Sequence, residues 1–440
     1  MQGTLSLYAS RNGDHRLRPT PDFAMTNNNA EVVIVGGGAA GVAAGRRLRE
    51  AAIGCLIIEA RPRLGGRAWT VTDHSGFALD LGCGWLHSAD RNPWRPIAEE
   101  QGRVIDRTPP PWARAALAIG FPLLEQKAYR AASQAFYARL ERAAGNAHDS
   151  PASTLLVPND RWNNLINAVS TYISGTELDR VSVFDLDRYD DSGVNWRVVE
   201  GYGATMVAAA ADLPVVLDCP VRRIDHTNKL LKIQTTKGVI TAEQAIVTLP
   251  STIIAEQEHL FAPALPDKTE AATGLPLGLA DKLFLSLDDA EEFEAESRLF
   301  GHTDRAGTAI YHFRPFGRPQ VEVYFGGRHA SALEAEGDGA SFDFAVSELT
   351  GLLGSAFARR IKPILGQRWG LDPFSRGSYS CALPGKADCR AQLAAAVDDR
   401  LFFAGEACSR HDFSTAHGGW LTGVSAAEQV IAARRRQSST

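Results

Sequence analysis

Glu31-Val32-Val33-Ile34-Val35-Gly36-Gly37-Gly38-Ala39-Ala40-Gly41 is the stretch that decides the fold. A short β-branched run leads into a glycine turn, and Val42 to Ala52, rich in Ala, Arg and Leu, then reads as a helix. Cys55 to Ile58 is a second apolar run, and it ends in Glu59. Strand, glycine turn, helix, strand and acid in this order form the first βαβ unit of a dinucleotide-binding fold. Gly36 makes the tight turn, Gly38 lets the backbone approach a pyrophosphate, and Gly41 lets the helix pack on the strand. The helix N-terminus faces the phosphate charge. Glu59 lies 18 residues after Gly41, where a carboxylate can accept hydrogen bonds from both ribose hydroxyls. A surface loop with an ordinary Glu is the competing reading, and the complete strand-turn-helix-strand-acid context argues against it.

The rest of the chain sets limits around this unit. It has 440 residues, 45% hydrophobic and 22% charged, with a net charge of −5, which excludes disordered, collagen-like and coiled-coil classes. Its only sustained basic run is Arg434-Arg435-Arg436, so no footprint for nucleic acid or an anionic membrane is visible. Six cysteines (55, 83, 219, 381, 389, 408) show neither C-x-x-C pairs nor metal-ligand spacing with His. They read as reduced thiols of a cytoplasmic protein, and no metal site is expected. No apolar stretch reaches the ~18 residues of a membrane span. Residues 1–30 are polar and lack a signal-peptide core; they read as a disordered leader, with Met25 as an alternative native start to Met1.

Immediately after Glu59 the sequence runs Ala60-Arg61-Pro62-Arg63-Leu64-Gly65-Gly66-Arg67. This resembles the E-A-x-x-R-x-G-G-R of the flavin-dependent amine oxidase family, which includes monoamine and polyamine oxidases and lysine-specific histone demethylases. Further stretches match in order. Asp80-Leu81-Gly82-Cys83-Gly84-Trp85-Leu86-His87 resembles the loop under the flavin, and Gly201-Tyr202-Gly203 through Val221 to Ile224 resembles the return to the cofactor domain. Trp369 to Ser380 resembles W-x-x-D-P-x-x-x-G-S-Y-S, and Phe403-Ala404-Gly405-Glu406 with His417 to Gly423 resembles F-A-G-E followed by H-G-x-x-x-S-G. The resemblance implies FAD, bound through Gly36, Gly38, Ala40, Gly41, Glu59, Ala60, Arg61, Gly66, Arg67, Gly84, Trp85, Val221, Trp369, Gly405, Glu406 and Leu421. Ser378 stands where mitochondrial monoamine oxidases carry a flavin-linked cysteine, so attachment is expected to be non-covalent. Leu401 to Ala404 also reads independently as a buried strand, and Val424 to Arg434 as an Ala-rich helix. Here the helix start near Leu421 is expected to present N–H groups to the flavin edge where charge accumulates on reduction.

The chemistry needs a neutral amine, because hydride loss from the α-carbon uses the nitrogen lone pair. With a pKa of about 10.4, only roughly one alkylamine in 10³ is neutral at pH 7, and a dry apolar pocket favours that form. By resemblance, Tyr379 and Trp420 make two aromatic walls before the flavin. Lys282, in Leu279 to Leu285 where even-numbered positions share a strand face, holds a water at flavin N5. His87 matches a pocket-rim histidine of polyamine-type members. No arginine follows the glycine loop to clamp a substrate carboxylate, which favours an amine over an amino acid. Asp187, Asp190 and Asp191 could attract a polyamine, although such a run is usually a solvated face.

An α/β architecture is therefore expected. A Rossmann-type FAD-binding domain (31–91, 201–282 and 370–440) is interleaved with a mixed α+β substrate-binding domain (92–200 and 283–369). In the second, Glu125 to Ala144 has helical periodicity, and Glu322 and Tyr324 face opposite to Val321, Val323 and Phe325. The expected reaction is FAD-dependent amine oxidation by hydride transfer to N5, giving an imine and aldehyde, ammonia or amine, and hydrogen peroxide with O2 as acceptor. The alternatives are a flavin oxidase or dehydrogenase of an L-amino acid or alkaloid, a flavin desaturase, or a non-enzymatic flavin-binding partner protein. The oligomeric state is open, with a homodimer among the expectations.

Overall fold

Val32 to Val35 have almost no solvent exposure, as a parallel strand covered on both faces requires. The computed structural model describes residues 29–438. The expected leader and the Met25 start lie outside the described residues except for Asn29 and Ala30. These two already belong to the first strand and pair with Thr241 and Ala242.

The strands used below are, in chain order, β1 (Asn29–Val35), β2 (Cys55–Ile58), β3 (Val215–Val216), β4 (Val221–Asp225), β5 (Leu231–Thr235), β6 (Gly238–Val247), β7 (Phe261–Ala262), β8 (Ala280–Leu287), β9 (Ser297–Phe300), β10 (Ile310–Phe313), β11 (Gln320–Gly326), β12 (Ile361–Gln367) and β13 (Leu401–Phe403). The helices are α1 (Ala39–Glu50), α2 (Leu123–Ala144), α3 (Asn163–Ser174) and α4 (Ala416–Ser438).

The first sheet has the order β7-β4-β5-β6-β1-β2-β3, with β13 beside β6. β1 runs parallel to both β2 and β6, and β13 runs parallel to the C-terminal half of β6. The N-terminal half of β6 pairs antiparallel with β5. This places the ends of β1, β2, β6 and β13 together, at the edge where an open α/β sheet binds its ligand. α1 and α4 pack against one another across this sheet. A Cβ at Gly423 would lie 2.2 Å from the Ala40 carbonyl oxygen, so only glycine permits that approach.

The second sheet has the order β9-β10-β11-β8-β12. One face is apolar, with Leu283, Leu285, Val321, Val323, Phe325, Tyr311 and Phe313 in one core. The other face carries Lys282, Glu322, Tyr324, Ile310, His312, Arg298 and Phe300, following the alternation of side chains along each strand. β8 is continuous across the domain boundary expected at 282/283, because it pairs on both sides with β11 and β12. A buried ion pair from Arg390 to Asp185, at 2.6 and 2.7 Å, ties the helical insertion to the C-terminal segment.

Candidate active site

A cavity of about 1140 Å³ runs from the carboxyl ends of β1 and β2 to the polar face of the second sheet. Its nucleotide end is built by the glycine turn. Gly36 has φ +109°, in the region open to glycine. Gly38 lines the cavity, and the nearest atom to a Cβ added there is the Gly65 carbonyl oxygen at 3.9 Å. No side chain caps the N-terminus of α1, and its first turn contains no acid, leaving its N–H groups and dipole for an anion. Gly41 lies behind this surface: its Cβ would fall 1.9 Å from the Gly36 carbonyl oxygen, so it serves helix–strand contact. Ala40 and Ala60 line the cavity with Val221, which begins β4.

Glu59 is buried and accepts from the Gly37 N–H at 2.8 Å and the Arg61 N–H at 2.9 Å. Each carboxylate oxygen retains a lone pair for a ribose hydroxyl. Arg61 lines the cavity, but its guanidinium is committed to Asp372 and Ser375. Asp372, in the Trp369 to Ser380 stretch, therefore fixes Arg61.

At the other end, Gly66, Arg67, Gly84, Trp85, Trp369, Gly405 and Glu406 all line the cavity. Arg67 donates to Glu406 Oε1 and to the Ser378 carbonyl, both at 2.8 Å. Burial opposes charge on Glu406, but Arg67, the Ser380 hydroxyl and Arg390 together hold the carboxyl below its ordinary pKa. Trp369 is fixed by its indole N–H to the Leu81 carbonyl at 3.1 Å. The Ser378 hydroxyl is held between the N–H and carbonyl of Ala280, at 2.9 and 2.8 Å.

Lys282 Nζ contacts Glu322 Oε1 at 2.9 Å and donates to the Asp80 carbonyl at 3.1 Å. A Cβ at Gly84 would lie 3.3 Å from the same nitrogen, which places the ammonium directly under the glycine loop. Burial disfavours its charge, but Glu322, with Tyr324 and Asp80 beside it, raises its pKa. Tyr379 donates to the Tyr172 carbonyl at 2.6 Å and shares a hydrogen bond with Tyr324 at 3.2 Å, so its ring is held rigidly. His87 Nδ1 meets Asn195 Oδ1 at 2.6 Å, and the Asn195 amide nitrogen donates to the Gly193 carbonyl at 3.1 Å. That amide orientation puts the imidazole proton on Nδ1 and leaves Nε2 as an acceptor. Burial lowers the His87 pKa.

Two expected site residues are elsewhere. Trp420 packs edge-on against Trp94 at 4.6 Å, with Arg46 over its ring, and is absent from the cavity wall. Leu421 is 45% exposed. The cause is the helix start: α4 begins at Ala416, not at Leu421 or Val424, and the Thr415 hydroxyl accepts the Gly418 N–H at 2.9 Å as an N-cap does. The cavity is lined instead by Ser414, Thr415, Ala416 and Gly419. Trp420 lies ~100° around the helix from Gly419 and Leu421 ~200°. Trp420 therefore does not form the second aromatic wall, and Tyr172 and Tyr324 flank Tyr379.

The sequence reading missed Glu322 and His312 as partners in the Lys282 system. Glu322 Oε2 lies 3.8 Å from His312 Nδ1, and His312 Nε2 lies 2.8 Å from Glu296, which pairs with Arg197 at 2.6 Å. Alternation along β11 had put Glu322 on the face opposite the core, but only strand register brings it to Lys282. Asp191 lines the cavity and accepts from the Gly193 N–H at 2.9 Å. Asp190 instead pairs with Arg91 at 2.8 Å.

The family profile described as flavin containing amine oxidoreductase matches residues 39–431. The chain belongs to this family. Among relatives of this flavin amine oxidoreductase, polyamine oxidase 5 of Oryza sativa subsp. japonica is 28% identical, over 91% of this chain and 87% of its own. Polyamine oxidase 2 of Arabidopsis thaliana is 27% identical, over 95% and 92%. Lysine-specific histone demethylase 1 homolog 1 of Oryza sativa subsp. japonica is 27% identical over 91% of this chain but only 52% of its own length. A putrescine oxidase redesigned in its cofactor binding shares the fold, with TM-score 0.73 and 17% identity over 92% of this chain and 99% of its own. The flavin amine oxidoreductase is thus an FAD-dependent, amine-oxidising enzyme of mixed α/β fold. The described residues contain no helix long and apolar enough to cross a membrane and no cluster of metal-ligating side chains.

Proposed function

We propose that this enzyme oxidises an alkylamine taken up in its neutral form, with O2 as electron acceptor, in the cytoplasm. When bound, FAD supplies the hydride acceptor. The observation that carries the reading is Lys282, buried beneath the Gly84 loop and held by Glu322 and the Asp80 carbonyl, in one cavity with Tyr379 and Tyr324. The residues divide the work. Tyr379, fixed by Tyr172 and Tyr324, orients the amine against an aromatic surface and excludes water. Burial raises the pKa of its phenol, so that wall stays uncharged at neutral pH. His87, kept neutral by burial and with Nε2 as an acceptor, takes a hydrogen bond from the N–H of the neutral amine. Lys282 Nζ, kept charged by Glu322, orders a water at the reacting end of the cavity. The polyamine oxidases among the relatives support an amine as the substrate class.

The test is an anaerobic titration of the yellow holoenzyme with mono-, di- and polyamines and L-amino acids, followed by admission of air. Bleaching of flavin absorbance by an amine class, with peroxide formed on recovery, is expected. Absence of bleaching by any amine defeats the reading, and failure of bleached flavin to recover in air removes O2 as the acceptor.

A further inference from the structure

The charges of the cavity's polar sheet face pair off until one remains. Glu322 is taken by Lys282 and His312, and Glu296 by His312 and Arg197. Arg298 lines the same cavity, yet its guanidinium makes no hydrogen bond or ion pair among the described residues, and its Nε is buried without a partner. Phe300 lies beside it, with the guanidinium carbon 4.7 Å from the ring centroid. Tyr129 and Arg130 are the titratable groups that act on it, so no carboxylate balances it. Burial lowers its pKa to about 10, and it remains cationic at neutral pH. Arg298 is half-buried overall, and a cation whose Nε is buried with its donors unused is costly unless something pairs with it.

Its place relative to Lys282 follows from the register. Lys282 pairs with Tyr324, Tyr324 with Ile310 and Ile310 with Phe300, while Arg298 pairs with His312. β8 and β9 are three strand spacings apart, about 14 Å. The two cations therefore stand at opposite ends of one face, with Tyr324 and Ile310 in the row of Lys282, and Glu322 and His312 in the row of Arg298, on the strands between them.

We infer that Arg298 is a carboxylate subsite, and that the substrate is an amine carrying a carboxylate at its far end. This rests on the amine-oxidase reading and narrows it. A planar guanidinium matches a carboxylate in two parallel hydrogen bonds. A single unbalanced cation suits one negative charge rather than a phosphate dianion. A carboxylate on the α-carbon is a poor fit, because the reacting carbon must lie at the Lys282 end.

Two measurements on the holoenzyme separate this inference from the reading beneath it. Binding of straight-chain carboxylates that lack an amine, such as hexanoate and octanoate, is followed by perturbation of the oxidised flavin spectrum and by calorimetry. Arg298→Met is expected to raise their Kd at least tenfold and Arg298→Lys to restore part of the loss, with FAD content checking that both variants fold. Selectivity for γ-aminobutyrate and ε-aminohexanoate over n-alkylamines of matched length is expected to fall at least tenfold in Arg298→Met. Carboxylate binding that is absent in the wild type, or unchanged in Arg298→Met, overturns the inference, as does wild-type preference for the alkylamine. Arg298-dependent carboxylate binding without flavin reduction by any amine sustains the subsite and defeats the amine-oxidase reading instead.

Discussion

At the scale of single residues, the chemistry depends on who holds Lys282. Burial alone pulls a lysine pKa down, and the Glu322 carboxylate leads the groups, with Tyr324 and Asp80, that reverse the sign. Replacing Glu322 by Gln removes the largest of these and leaves the burial, so Lys282 should lose its proton at lower pH. The alkaline limb of the flavin reoxidation rate, followed by stopped flow across pH, is expected to move acidward. Lys282→Met should slow reoxidation at every pH while FAD stays bound. An unmoved limb in Glu322→Gln, or normal reoxidation in Lys282→Met, removes the lysine from the role given to it. Lys282 itself was legible in the sequence because alternation and family likeness coincide on it. Glu322 as its partner was not, since it sits one diagonal away across β8 and β11, and cross-strand register is set by the folded sheet rather than by local pattern. The cavity aromatics Tyr172 and Trp112, from the helical insertion, were invisible for the same reason.

At the scale of elements, the first βαβ unit was readable to within a few residues, because strand, turn, helix and acid each impose a distinct requirement on composition. β2 falls on Cys55–Ile58 as expected. α4 was misread because Gly418, Gly419 and Gly423 look like a turn when judged by helix propensity. Packing overrides propensity there, since α1 comes so close that a side chain at 423 would strike Ala40. Gly423→Ala is accordingly expected to cost about 3 kcal/mol or more. Gly351 is the control: it lies on an exposed helical face, with nothing within 4 Å of an added Cβ. Gly351→Ala should gain up to about 1 kcal/mol. Thermal midpoints of the two holoproteins should therefore move in opposite directions, and similar shifts would contradict the close-contact explanation of the α1–α4 pair.

At the scale of the whole molecule, a buried chain of charge runs from Lys282 through Glu322, His312 and Glu296 to Arg197 and Asp106, joining the second sheet to the Ile105–Asp106 segment of the helical insertion. Burial opposes charge on Glu296, yet His312 and Arg197 hold its pKa at about 2, against an ordinary 4.5. A depressed carboxylate pKa gives stability that is complete above the unfolded value and is lost as pH falls through the folded one. Glu296 thus contributes on the order of 3 kcal/mol that should disappear between about pH 4.5 and 2. Urea midpoints measured down through this range should drop less steeply in Glu296→Gln than in the wild type, and parallel curves would remove the carboxylate from the account. The packing of α1 against α4 has one more consequence, in time. Arg47 and Glu428, 381 residues apart, meet at 2.6 Å, and β13 joins the sheet only from Leu401 onward. A ribosome adding ~5–20 residues per second takes roughly 20 to 90 s over this chain. For most of that interval the nascent glycine turn stands without the helix that covers it, so cofactor capture is a late event of synthesis and the waiting N-terminal segment is a natural client for chaperones.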